Sequence, residues 1–183
     1  MIIENNEIEL IDALNDPKLK EKAFKTLLNT YQERLYWHIR KLVISHEDAN
    51  DVLQNTFIKI YRSFKTFNHY SSLHTWMYRI AYNESMNLLN KRHKKQFISS
   101  EEVNKKIINN LVDDVYFEGK EIQIKLQKAL LSLPVKQRQI FQMKYFDDLK
   151  FREISEILNT TVGALKASYH IAVKKIEEYV VNN

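Results

Sequence analysis

Residues 149–176 constrain the fold of this chain more than any other stretch. Apolar residues recur there at helical spacing in two blocks. The first block holds Phe151, Ile154, Ile157 and Leu158, and the second holds Val162, Leu165, Tyr169, Ala172 and Ile176. Asn159 lies between the blocks, where the turn needs a residue type that tolerates left-handed backbone. The pattern predicts two short helices packed about a tight turn, which is a helix-turn-helix.

The second of these helices has a basic face. If it buries its apolar stripe, Lys166, His170 and Lys174 project together from the other side at four-residue intervals. A helix of this kind can enter the major groove of DNA with its N-terminal residues on base edges. An ordinary helical hairpin with a solvated basic face is the alternative, because the motif is a loose one.

Composition favours helix along the whole chain. The 183 residues include only two Gly and two Pro, so we expect an almost wholly helical protein. The formal net charge of +5 favours a polyanionic partner, although many basic proteins bind none. The absence of Cys excludes disulfides and thiolate metal sites.

Neither a membrane span nor a signal peptide is visible in the sequence. No apolar run approaches the roughly 20 residues that a membrane span requires. The N-terminus lacks the basic start and the small-residue cleavage site of a signal peptide. We therefore expect a cytoplasmic protein that is not inserted in a membrane.

The periodicity of apolar residues divides the chain into three parts. Residues 8–95 have the pattern of a succession of amphipathic helices. Helical periodicity returns over residues 121–183, where Pro134 suits the first turn of a helix. Residues 96–120 are polar and acidic, with little to fill a core, and are interpreted as a linker. The predicted fold is all-α, with two small helical domains joined by that linker.

Residues 59–95 combine basic and aromatic side chains. They include eight basic residues and one acid, Glu84, which gives a net charge of +7. The interleaved rings are Tyr61, Phe64, Phe67, Tyr70, Trp76, Tyr78 and Tyr82. Single-stranded nucleic acid is held by this pairing, with phosphates on cations and base faces on rings. Alternatively, some of these rings, above all Trp76 and Phe64, pack in the hydrophobic core. The ring nearest the polar loop 68–72 is then the preferred base contact.

Four motifs in order resemble one family. Residues 48–57, DANDVLQNTF, are similar to DAxDLxQExF, and residues 71–83, SSLHTWMYRIAYN, are similar to SSLRTWLYRIARN. Leu133-Pro134 with Arg138 is similar to LPxxxR, and residues 162–166, VGALK, are similar to VGTVK. From Phe24 to Lys175 the chain resembles bacterial RNA polymerase sigma factors of the extracytoplasmic-function group, in the sigma-70 family. The resemblance implies sigma region 2 over residues 8–95 and sigma region 4 over residues 121–183.

The resemblance implies a helix that docks on core RNA polymerase. In the family the DAxDLxQExF helix binds the coiled coil of the largest polymerase subunit, and the matching residues are Asp48, Asp51, Gln54 and Phe57. The last three recur at three-residue steps, so we expect an acid, an amide and a ring along one side of the helix. Such a surface suits a protein interface with an aromatic anchor.

The resemblance also implies that region 2 melts promoter DNA and traps an unstacked base of the minus-ten element on the melted non-template strand. The candidate contacts are Lys41, Phe67, Asn68, Tyr70, Ser71, Arg79, Asn83, Lys91 and Arg92. Asn83 offers both a donor and an acceptor to a base edge, which a phosphate contact would not require. Arg79 and the basic residues from Lys91 onward would hold the backbone.

Region 4 in the family reads the minus-thirty-five element as duplex. The positions carried over are Lys144, Arg152, Gly163, Ala164, Lys166, Ala167, His170 and Lys174. Residues 164–172, ALKASYHIA, depart from the usual TVKSRLxRA by lacking a threonine and two arginines. The preferred sequence therefore stays open, and some recognition can shift to DNA shape. In the other domain Asn55 replaces a glutamate and His74 replaces an arginine of the family pattern.

Two other classes of function compete with this one. A helix-turn-helix transcriptional regulator that is not a polymerase subunit would carry an α/β receiver or ligand-sensing domain, and no such pattern precedes residue 96. An enzyme would need a Gly-rich phosphate loop, HExxH or a nucleophile elbow, none of which occurs.

We therefore expect no catalytic residue, no cofactor and no metal site. His46 near Asp48 and Asp51 is a weak metal candidate, because it lacks a defined further ligand. The expected partners are core RNA polymerase and promoter DNA, as duplex and as melted non-template strand. An anti-sigma factor is a further partner that the resemblance leaves open.

Overall fold

The computed structural model describes residues 2–43, 45–67, 70–95 and 121–182. The helices are α1 Ile2–Asn15, α2 Lys20–Val43, α3 His46–Ser63, a 3-10 turn Phe64–Thr66, α4 Leu73–Lys95, α5 Glu121–Ser132, α6 Val135–Tyr145, α7 Phe151–Leu158 and α8 Val162–Asn182. No strand occurs in these residues, so the predicted all-α fold is confirmed. The contacts divide the chain into two compact units, residues 1–88 and 89–183. The predicted linker, residues 96–120, lies outside the described residues.

The first unit is built on the packing of α1 and α3 against α2. Its most completely buried side chains include Leu27, Leu35, Ile39, Ile60, Leu73 and Met77. Ser45 caps α3, because the backbone N–H of Asp48 donates to its Oγ at 3.4 Å. Ser72 caps α4 in the same way, with the N–H of Thr75 at 3.1 Å from its Oγ. These caps set where α3 and α4 begin.

An aromatic cluster and an ion pair join the end of α3 to α4. The rings of Phe64 and Phe67 lie 6.0 and 5.4 Å from the ring of Trp76 between centroids. Further along, Lys59 Nζ lies 2.6 Å from Glu84 Oε1. The sole acid of the basic stretch is therefore paired across α3 and α4.

The second unit packs α5, α6 and α7 against α8. Its core cluster comprises Ala129, Leu130, Leu133, Phe141, Ala172 and Ile176. Tyr169 of α8 joins three helices, because its ring stacks on Phe141 at 5.7 Å and meets Phe151 at 5.6 Å. Burial lowers the pKa of Arg138, the arginine of the Leu-Pro motif, on α6.

The turn between α7 and α8 has the predicted left-handed residue. Asn159 adopts φ 50° and ψ 50°. The N–H of Thr160 donates to the carbonyl of Ser155 at 3.2 Å, and Ser155 Oγ donates to the carbonyl of Thr160 at 2.6 Å. Thr161 Oγ1 then accepts from the N–H of Ala164 at 3.3 Å and caps α8. The helix-turn-helix prediction is confirmed.

A second left-handed residue, Asp148, lies in the turn between α6 and α7 with φ 52°. No sequence motif predicts this turn, although Asp is one of the few residue types that tolerate the left-handed conformation. No helix in the described parts of the chain is long and apolar enough to cross a membrane.

We expect Asn159→Ala to destabilise the chain by about 1 kcal/mol, because alanine pays more than asparagine for left-handed backbone. Asn159→Gly should stay within about 0.5 kcal/mol of the parent, since glycine adopts positive φ freely. Urea unfolding followed by circular dichroism measures both. Asn29→Ala, at an exposed position of α2, is the matched control and should not destabilise the chain. Equal stability of Asn159→Ala and the parent would contradict the proposed role of the turn.

Candidate nucleic-acid and polymerase interfaces

The predicted docking helix, α3, exposes only part of its motif. Asp51 and Gln54 are exposed, whereas Asp48 is buried. Phe57 is 7% exposed, and its ring lies edge-on to Phe24 at 6.3 Å. Phe57 is therefore a core residue of this structure and not an exposed aromatic anchor. Phe57 lies about 60° around the helix from Gln54 on the side that meets Phe24 of α2, whereas Asp51, about 60° the other way, is exposed.

Two apolar side chains outside the predicted docking set continue the exposed side of α3. Ile58 and Tyr61 are 43% and 37% exposed. They follow Gln54 by four and seven residues, so the three side chains lie on one stripe. Lys20 Nζ lies 4.0 Å from the centroid of the Tyr61 ring, which gives this stripe a basic neighbour. Helical spacing counted from Gln54 could have found both residues.

His46 at the start of α3 is engaged in hydrogen bonds at both ring nitrogens. Nδ1 lies 2.7 Å from Tyr36 Oη, and Nε2 lies 3.0 Å from Asn50 Nδ2. Its partners are thus a phenol and an amide, not the nearby carboxylates. Among the described residues, no three His, Cys, Asp or Glu side chains are grouped so that they could hold a metal ion.

The minus-ten candidates fall into an exposed and a buried group. Tyr70 is 88% exposed beside the start of α4, and Asn83 and Lys91 are exposed on α4 itself. Lys41, Ser71 and Arg79 are half-buried. Phe67 is only 9% exposed, because it packs into the cluster with Phe64 and Trp76. Asn68 and the side chain of Arg92 lie outside the described residues.

The rings of the basic stretch divide in the same way. Phe64, Trp76 and Tyr78 are buried, and Phe67 joins them in the core. Tyr82 is half-buried, and burial raises its pKa. Tyr70, in the polar loop, has the most exposed ring among the described aromatic residues of the basic stretch. A base stacked by this unit in its present conformation would therefore meet Tyr70 before Phe67.

All the minus-thirty-five candidates except Lys144 are solvent-exposed positions on the helix-turn-helix. Exposed positions on α8 are Gly163, Ala164, Lys166, Ala167, His170 and Lys174, while Leu165 and Ala172 of the same helix are buried. A Cβ added at Gly163 would meet nothing within 4 Å. On α7, the side chain of Arg152 is 90% exposed, with Nε 4.0 Å from Glu156 Oε1. Lys144 is half-buried, and its Nζ lies 3.7 Å from Asp148 Oδ1.

Comparison with known families identifies both units. Residues 27–95 match the model for Sigma-70 region 2, and residues 123–176 match the model for Sigma-70, region 4. Together these matches span well over half of the chain, in the order that the four motifs have.

Curated relatives agree with this match. The ECF RNA polymerase sigma factor SigW of Bacillus subtilis is 28% identical over 158 residues, which is 82% of this chain and 84% of that protein. The ECF RNA polymerase sigma-E factor of Haemophilus influenzae is 27% identical, over 87% and 88% of the two chains.

Among solved structures, the sigma factor RpoE in complex with the anti-sigma factor NepR from Bartonella quintana shares the fold with a TM-score of 0.67 at 20% identity, over 87% of this chain and 97% of that one. CnrH in complex with the cytosolic domain of CnrY gives a TM-score of 0.69 at 17% identity, over 97% of each chain.

The burial of Phe57 and the exposure of Gln54 give opposite expectations for stability. Phe57→Ala should lower the free energy of unfolding by about 3–5 kcal/mol, the usual cost of emptying a core phenylalanine. Gln54→Ala should change it by no more than about 0.5 kcal/mol, as surface substitutions do. Thermal or urea unfolding of the full chain measures the difference. If Phe57→Ala is as stable as the parent, the assignment of Phe57 to the core is wrong, and Phe57 is again a candidate for the polymerase interface.

Proposed function

The chain belongs to the sigma-70 family, in its extracytoplasmic-function group, and we propose that its two helical units divide promoter recognition between them. As a sigma factor it binds core RNA polymerase and promoter DNA and directs transcription initiation. The observation that carries this function is the presence of both regions in one chain, in the order 2 then 4. A helix-turn-helix regulator that is not a polymerase subunit would have no need of region 2.

We propose that region 4 reads the minus-thirty-five element through α8. The exposed side of this helix carries Lys166, His170 and Lys174, which can contact phosphates and base edges. Gly163 and Ala164 at its N-terminal end are small and exposed, so the backbone of the helix can approach the floor of the groove closely. With fewer arginines than the family pattern, apolar contact of Ala164 or Ala167 with thymine methyl groups becomes a larger share of the readout.

We propose that region 2 opens the minus-ten element and holds the melted strand along α4. Tyr70 offers an exposed ring face, and Asn83 offers an amide that can pair with a base edge. Arg79 and Lys91 supply positive charge along the same helix for the backbone of the non-template strand. Phe67 supports this surface from the core, through its contact with Trp76.

We propose that the polymerase interface is the side of α3 that carries Asp51 and Gln54. Asp48 and Phe57 hold this helix in place from the buried side. The interaction takes place in the cytoplasm, where the polymerase works. The solved relatives are complexes of RpoE with NepR and of CnrH with the cytosolic domain of CnrY. By analogy, an anti-sigma factor is a proposed further partner of this chain.

Reconstitution with core RNA polymerase tests the function. Added to core polymerase, the chain should produce promoter-specific transcripts that core alone does not make. Gln54→Ala should weaken the affinity for core by roughly 30-fold if Gln54 is a hot spot of the interface. Gln32→Ala, at an exposed position of α2, is the matched control. Tight, sequence-specific footprinting of the free chain at physiological salt would favour the regulator instead, because two small units gain specificity only when held at a fixed spacing.

Asn83 and Lys91 should separate base reading from backbone binding. Asn83→Ala should impair opening most on the preferred minus-ten sequence, by about 1–3 kcal/mol, with little change in salt dependence. Lys91→Gln should weaken binding to all promoters alike and flatten the slope of log affinity against log salt by about one unit. Permanganate reactivity of the melted strand and affinity across a salt series measure these effects.

The same experiment has a control and a contrary outcome. Asn29→Ala removes an identical amide from α2 and should leave both measurements unchanged. If Asn83→Ala depresses every promoter equally and flattens the salt slope, Asn83 contacts the backbone, and its assignment to a base is wrong.

A further inference from the structure

Helix α1 lies before the part of the chain that matches region 2, which begins at residue 27. It is nevertheless built into the first unit. Ile11 and Leu14 are buried, and α1 packs against α2 and the 3-10 turn Phe64–Thr66. Helix α1 is therefore an integral part of the first unit and not a loose terminal extension.

Glu7 of α1 reaches the first residue of α4. The backbone N–H of Leu73 donates to Glu7 Oε1 at 2.8 Å, across 66 positions of the sequence. The first N–H groups of a helix have no partner within the helix, and the positive end of its dipole attracts a carboxylate. Ser72 Oγ accepts from the N–H of Thr75, so Glu7 and Ser72 together satisfy two donors of this first turn.

The carboxylate of Glu7 also lies close to α2. Burial raises the pKa of the Tyr31 phenol, and the negative charge of Glu7 raises it further, while Arg34 opposes this. The ring of Tyr31 lies 6.4 Å from His74, whose ring lies 4.2 Å from Tyr78. Glu7 thus contacts the first turn of α4, where Tyr31 of α2 lies near His74.

The N-terminus of α4 is placed directly between the candidate DNA contacts. Tyr70 and Ser71 precede its first residue, Leu73, by three and two residues, and Arg79 and Asn83 follow along the same helix. A shift or fraying of this turn would move Tyr70 relative to Asn83, which lies about 15 Å further along the helix axis. The two residues could then no longer engage the melted strand together.

We propose that Glu7 is a positioning residue for promoter opening, whose carboxylate holds the start of α4 so that Tyr70 and Asn83 keep the spacing needed to capture the melted strand. This role rests on the proposed function of α4 as the minus-ten reader. It assigns to α1 a part in opening that lies outside the matched region 2.

Two substitutions of Glu7 test the proposal in the full chain bound to core polymerase. Glu7→Ala should slow open-complex formation on a duplex promoter roughly tenfold, the loss expected for one charge-assisted hydrogen bond, without changing affinity for core. Glu7→Gln keeps an acceptor oxygen and should recover most of the rate. Glu9→Ala, at an exposed position of the same helix, is the control and should behave as the parent. Hydrogen exchange at the Leu73 amide should accelerate in Glu7→Ala alone.

Three results would overturn the proposal. Glu7→Ala could open promoters at the parental rate. Glu7→Gln could fail to recover a rate lost in Glu7→Ala while both variants unfold at lower temperature and bind core less tightly, which would make Glu7 a stabilising residue only. The parent itself could fail to initiate with core polymerase, in which case the proposed function falls first and this role falls with it.

Discussion

The contact of Phe64 and Phe67 with Trp76 is the interaction on which the first unit depends most. It joins the 3-10 turn Phe64–Thr66, which directly follows α3, and Phe67 to α4. Because a packed aromatic cluster has few alternative arrangements, the helix that carries Gln54 and the helix that carries Asn83 are held at one spacing. The proposed polymerase-docking surface and the proposed base-capture surface are therefore connected through the core of the first unit.

Local sequence chemistry predicted the helices and the turn of the second unit well. Asn159 tolerates the left-handed backbone that ends α7, and the apolar spacing on either side identifies the buried faces of both helices. Spacing was less informative for Phe57 and Phe67, since a ring at a given position suits an interface as well as a core. Only the opposing side chains, Phe24 and Trp76, decide that both rings face inward.

Contacts between distant parts of the sequence were beyond prediction for a different reason. The bond from Leu73 to Glu7 links positions that share no periodicity and no motif. Its existence depends on how α1 packs, which follows from tertiary contacts and not from helix propensity. The exposed pair Ile58 and Tyr61 was a different case, because counting helical turns from Gln54 would have revealed it.

Gly163 is a position where amino-acid substitutions can accumulate at little cost to the stability of α8. It lies in the first turn of α8 on the exposed side, with open space where a side chain would begin. Replacing a helical glycine by alanine usually strengthens a helix, so most substitutions here carry little risk to the fold. New contacts to DNA usually have to be gained against a loss of stability. At this position a new side chain would give up the close approach proposed for the α8 backbone, but it would not cost stability, so variants of this DNA-reading surface can arise without a destabilised intermediate.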